Sequence, residues 1–248
     1  MCAHEQGLLC TRISDVKSTQ LDAAINPADA LRDIGSVMQP DPRSAYFSVI
    51  EQGRSRPVTV GDRVGAIAPY VLNPAVPESV RVHFETAKNL YVYAWFVYRF
   101  YPVAEQQGLA TLEFALRERL ILLGAIKRDD KQVRGLRKLL KVALARGLIG
   151  NDRFLNRQGW ALGIAKHRFS LEQIAKMGRL GLTEMEVDDS TVVPTQKDLD
   201  HDWIGAFIEA LPGIRNSYAH GTDMLHPTVI RTFEIVCDLA NQLFTPRS

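Results

Sequence analysis

The sequence predicts an all-α protein, an antiparallel helical bundle preceded by an irregular extension. Three observations carry that expectation. Apolar residues recur at spacings of three and four from Pro77 to the C-terminus. Pro and Gly fall between those periodic runs rather than inside most of them. No sustained period-two alternation suggests a large sheet. The 248 residues are 46% hydrophobic and 23% charged, enough apolar material to bury a sizeable core.

Residues 1–76 are expected to form the partly irregular extension and residues 77–248 the helical domain. Helical spacing is weak at Leu21, Ala24, Ile25, Ala28 and Leu31. Gln39-Pro40-Asp41-Pro42-Arg43 reads as a turn, because each Pro pushes its predecessor out of the helical region. Residues 45–50 suit a short strand or a helical turn, and residues 52–57 a loop. Thr59 is placed to cap a short helix through Asp62, Val64 and Ile67. Pro69, Pro74 and Pro77 then mark the boundary.

Pro77-Glu78-Ser79 starts a long helix so apolar around its circumference that a central position is expected. Tyr101-Pro102 breaks or kinks it. A second helix follows over about 103–126, with Glu113 and Arg117 spaced to pair. Together they make an antiparallel hairpin. A third helix is expected over 131–146, ended by Gly147. Ser170 reads as the cap of a short helix over 171–180, and 181–194 as an acidic surface loop. Thr195 or Asp198 caps the helix carrying Trp203 and Phe207. Pro212-Gly213 interrupts that helix, and a new one is expected to begin near Pro212. Pro227 opens the last helix.

Charge and cysteine content narrow the function. The formal charge of +2 permits an anionic partner without demanding one. Cys2, Cys10 and Cys237 have no CxxC spacing, which argues against a disulfide framework or a zinc knuckle and for a reducing cytoplasm. Met1 to Gly7 lack signal-peptide character, and the most apolar run, 90–101, is too short to span a bilayer. No membrane role, metal or cofactor is expected. The one strongly basic segment, 127–157, includes Arg134, Arg137, Lys138 and Lys141. It reads either as a solvated helix face or as a surface for a phosphate backbone.

The most compact constellation is Arg215-Asn216-Ser217-Tyr218-Ala219-His220-Gly221. Arginine is a permanent cation whose fork of donors matches phosphate oxygens. Histidine exchanges a proton near neutral pH. RNA cleavage needs a base for the ribose 2′-OH, a cation for the phosphorane and an acid for the leaving 5′-oxygen. One Arg and one or two His meet those needs. Five helical residues turn about 140°, so Arg215 and His220 share no narrow face. A twofold dimer supplies the second imidazole.

Arg-Asn-x-x-x-His at the start of a late helix, in an all-helical body, resembles the signature of the HEPN superfamily. That resemblance implies a dimeric, metal-independent endoribonuclease of the kind found in toxin–antitoxin, phage-defence and RNA-processing systems. It implies that Arg215 and His220 are the catalytic pair and that Asn216 orients the phosphate or the imidazole. An antitoxin or other protein partner follows from the same likeness. RNA would then lie along Arg134, Arg137, Lys138 and Lys141. The alternative is a non-catalytic helical module that binds RNA, nucleotide or protein. His83, on a helix rich in apolar residues, is read as a satisfied core or edge histidine, and His167 and His201 as unrelated to a metal site. His226 is close enough in sequence to His220 to be a second proton-transfer group. The aromatics from Tyr91 to Tyr101 could stack bases, but at helical spacing they are read as core and interface.

Overall fold

The computed structural model describes residues 25–128, 132–219, 226 and 228–245. These residues are mostly helical, with eight α-helices and a single two-stranded sheet among them. No described helix is long and apolar enough to cross a membrane.

After a 3-10 turn at Pro27–Asp29, a buried carboxylate helps tie the extension to the helical body. Asp41 accepts from the backbone N–H of Tyr98 at 3.0 Å and is ion-paired to Arg43 at 2.8 Å. Its own N–H donates to the Trp95 carbonyl. Arg43 also reaches Asp29, and the Asp41 carboxyl stays below the usual range although burial opposes this. A 3-10 turn over Pro42–Tyr46 leads into a hairpin of β1 (Ser48–Glu51) and β2 (Arg54–Pro57). The expected loop over 52–57 is therefore shorter than its sequence suggests. Gln52 and Gly53 both have positive φ, the geometry of a two-residue turn whose twist matches that of the strands.

α1 (Val60–Ile67) begins at Thr59 with a reciprocal capping box to Asp62, as its spacing predicts. α2 (Glu78–Tyr93) begins after Pro77. It buries only Val80, Phe84, Ala87 and Tyr91, a single stripe, while Val82 and Tyr93 face solvent. The central helix is instead α3 (Phe100–Leu122). It buries residues on several sides, from Tyr101 through Leu109, Leu112 and Leu116 to Leu120. α2 was expected at the centre because its residues are apolar all round. Burial follows the number of packed neighbours, and α3 packs on α2, α4 (Leu136–Ala145), α7 (Trp203–Ala219) and α8 (Ile230–Phe244). The break between α2 and α3 falls at 94–99, and Pro102 sits in the first turn of α3, where its missing N–H costs little.

Contacts fix the helix directions. Tyr91 meets Tyr101 and His83 meets Phe114, so α2 and α3 form the expected antiparallel hairpin. Thr232 reaches Glu105 and Phe244 lies under Arg119, so α8 runs in the same direction as α3.

α4 (Leu136–Ala145) starts five residues later than expected, behind Gly135 at φ 83°. That backbone conformation suits glycine and cannot continue a helix. The C-terminal expectation holds: Gly147 has φ 60°, and Leu148 donates to the Ala143 carbonyl. α5 (Arg157–Leu180) runs straight through Ser170, correcting the short-helix reading. The Ser170 hydroxyl donates to the Lys166 carbonyl, four residues back, so a residue that can cap a helix is absorbed into its interior. Thr195 does cap, but only the four-residue α6 (Gln196–Leu199).

α7 (Trp203–Ala219) is the larger correction. It continues unbroken through Pro212. A mid-helix proline forfeits one backbone hydrogen bond. Here Leu211 and Pro212 are both buried, as are Ile204, Phe207 and Ile208, and that packing outweighs the loss. The motif therefore occupies the last turns of a long helix, not the start of a new one.

Candidate functional site

Arg215 lies near the C-terminal end of α7, where the helix dipole favours a cation. Its guanidinium is ion-paired to Glu113 of α3 at 3.3 Å. Glu113 also faces Arg117 at 3.6 Å, the pair expected from their spacing. One carboxylate thus sits between two arginines. The Arg215 side chain is 37% exposed and that of Glu113 16%, so the guanidinium stands at the edge of the bundle. Asn216 and Ser217 are exposed, and the Ser217 hydroxyl donates to the Gly213 carbonyl. His220, the proposed catalytic imidazole, lies outside the described residues.

Tyr218 is one turn beyond Arg215 and turns to the same neighbour, α3. Its hydroxyl donates to Oε2 of Glu105 at 2.5 Å, and the Thr232 hydroxyl of α8 donates to Oε1 at 2.5 Å. Glu105 is only 3% exposed, and hydrogen bonds to both its oxygens are what make its burial tolerable. His226 completes the cluster: its Nε2 lies 2.9 Å from the Tyr218 oxygen and 3.6 Å from Glu105 Oε2. The first is a hydrogen bond and the second is too long for one. Burial, and then the bond to Glu105, push the Tyr218 phenol well above its usual range.

Glu105 was missed in the sequence although it left a signal. The buried stripe of α3 reads Leu109, Leu112, Leu116 and Leu120, and one step of four back from Leu109 is a carboxylate. A charged residue on an apolar stripe must find partners inside the fold.

The basic helix face is partly engaged. Arg137 forms an ion pair with Glu209 of α7 and also donates to its carbonyl at 3.3 Å. Lys138 donates to the Gln132 carbonyl at 2.9 Å. Arg134 precedes α4 and is exposed, as is Lys141 within it. Arg137 and Glu209 tie this surface to the motif helix.

Three other described histidines have partners or surroundings outside the motif. His83 is exposed, with Nδ1 3.1 Å from the Gln107 amide and its ring edge-on to Phe114. His167 and His201 line one cleft of about 530 Å³ between α5 and α6. Arg168 and Asp198, also in that cleft, are locked together by two bonds of 2.7 and 2.8 Å. No three His, Cys, Asp or Glu among the described residues come together as a metal site. Most of the aromatics from Tyr91 to Tyr101 pack inward, with Tyr91, Trp95, Tyr98 and Tyr101 buried.

Comparisons with family models, with curated proteins and with solved structures return no match to this chain.

Proposed function

We propose that the protein is a metal-independent endoribonuclease, of the HEPN kind that its motif resembles. Arg215 binds the scissile phosphate and stabilises the phosphorane. His220 transfers protons as general acid or base. Asn216 orients the phosphate or the imidazole. RNA runs along Arg134, Lys138 and Lys141, with Arg137 bracing that surface against α7. A twofold copy of the chain completes the groove, and an antitoxin-like partner is the natural means of restraint.

The observation that supports this reading best is the position of Arg215. It stands at the bundle edge near the end of a helix, part-exposed and paired with a single carboxylate, an anion that a phosphate could displace. The same pair favours the alternative, a non-catalytic helical module, because an ion pair between α3 and α7 also serves structure alone.

The two readings part on RNA cleavage in EDTA. Wild type is expected to cut single-stranded RNA and leave 2′,3′-cyclic phosphate ends. His220→Ala is expected to lose at least about 100-fold in rate, the usual worth of a proton-transfer group. Equal inactivity of both proteins across diverse RNAs would establish the binding module instead.

A further inference from the structure

α5 leaves the bundle as it lengthens. Trp160, Ala161 and Ala165 in its first half are buried, whereas Leu171, Ile174 and Leu180 in its second half are more than half exposed. Toward α6 the helix borders the cleft of about 530 Å³, a volume within the range of small-molecule sites. The apolar wall of that cleft is Ile164, Leu171 and Ala175, which recur at steps of seven and four and so share one face of α5. Those eleven residues span about 16 Å of helix axis. Ile164 packs against the core and Leu171 is exposed, so the wall runs outward from the bundle. No Phe, Tyr or Trp lines it, which makes the wall aliphatic.

The polar side of the cleft has positive charge to spare. Arg168 and Asp198 neutralise each other through their two bonds, and Asp198 also accepts from the N–H and the hydroxyl of Thr195. Glu172, four residues along α5, lends its charge to the same guanidinium. Asp202, beside His201, accepts from the Asn151 amide and the Gly205 N–H. Lys197, His167 and His201 remain, and Lys197 and His167 form no ion pair among the described residues. Lysine is a compact point charge, and an imidazole offers an N–H in either of its charge states. Donors of this kind beside an aliphatic wall match an anionic head on an apolar chain.

We infer that the α5–α6 cleft binds a small aliphatic carboxylate, its chain laid along Ile164, Leu171 and Ala175 and its head held by Lys197 with His167 and His201. A single negative charge suits the head, because Lys197 is the one permanent cation in the cleft that no described carboxylate neutralises. This site shares no residue with the Arg215 site and is independent of the endoribonuclease reading.

Decanoate is the probe, compared with decanol and decyltrimethylammonium, which carry the same chain on a neutral and a cationic head. Isothermal titration of the full chain is expected to give saturable decanoate binding at one site per chain. Decanol is expected to bind about tenfold more weakly, and the ammonium not to saturate. Lys197→Glu is expected to weaken decanoate about tenfold or more while leaving decanol within twofold. Leu171→Asn is expected to weaken both. Both positions are exposed, so circular dichroism of the variants is expected to match wild type. Imidazole resonances of His167 and His201 are expected to move during the titration, and those of His83 on α2 to stay in place.

No saturable decanoate binding, decanol as tight as decanoate, or Lys197→Glu within twofold of wild type overturns the inference. Equal movement of all three imidazoles would mark detergent-like association over the whole surface and overturns it as well.

Discussion

Glu105 and Glu113 are eight residues apart on α3 and both face α7, yet they are satisfied in opposite ways. Glu105 is buried and receives two hydroxyls, from Tyr218 and Thr232. Glu113 lies toward the edge and is flanked by two arginines, Arg117 and Arg215. The difference follows depth. Hydroxyls add no charge to desolvate, so they suit an interior carboxylate, whereas guanidinium groups stay near water. One helix thereby anchors the motif helix at its inner face and holds the motif cation at its outer face. The inner contact is expected to dominate stability and the outer one to govern anion binding.

The sharpest way to break that comparison is Glu105→Ala. It leaves the Tyr218 and Thr232 hydroxyls without their acceptor inside the bundle, at roughly 1–3 kcal/mol each. A loss of about 3 kcal/mol is expected in urea unfolding with an unchanged m-value. A cost below about 0.5 kcal/mol would mean that water or a neighbour replaces the carboxylate and that burial does not distinguish the two sites.

Tyr218→Phe removes one donor to a charged group and is expected to cost about 1.5 kcal/mol in the same measurement. Because it deletes only an oxygen, it separates the hydrogen bond from the packing of the ring.

Alkaline titration reports the same interior more gently. The phenols of Tyr218 and Tyr101 are both raised, mainly by burial, Tyr101 to about 12. In the unfolded chain they ionise near 10. A raised folded value means the native state holds the proton more tightly. Its stabilising contribution is complete below about pH 10 and is lost as pH rises toward the folded values. Phenolate absorbance of the native protein should therefore lag that of the denatured protein above pH 10. Coincident titrations would show that these tyrosines are wet.

The smallest effect on stability is expected from Glu113→Gln, under about 1 kcal/mol, because its arginine partners are part-exposed. Its effect on binding has the opposite rank. With the competing charge removed, Arg215 is free to meet a phosphate, and affinity for a short RNA at low salt should rise severalfold. Unchanged affinity, with Arg215→Ala equally inert, would separate Arg215 from anion binding.

Much of the fold was legible because it depends on neighbours in sequence. Thr59 and Asp62 are three apart, and the capping box needs nothing else. Pro77 and Gly147 mark helix ends through their own backbone preferences. The failures share a cause. Ser170 and Pro212 carry local signals for helix boundaries, and both lie inside helices whose burial or back-bonding outweighs those signals. Gly135 shortens α4 through a positive φ that no periodicity reveals.

The candidate site divides along the same line. By itself the sequence determined that a cation, an amide and an imidazole follow one another within six residues, and that an arginine lies four residues from Glu113 on one helix face. Covalent spacing and helical pitch suffice for that. Only tertiary structure decided that Arg215 meets Glu113, and that Tyr218, Thr232 and His226 converge on Glu105, which is 113 residues from Tyr218 and 127 from Thr232 in the chain. A carboxylate inside an apolar bundle must be met by donors, but which donors reach it depends on how α3, α7 and α8 pack against one another. That register is fixed by the shapes of buried side chains along the full length of all three helices.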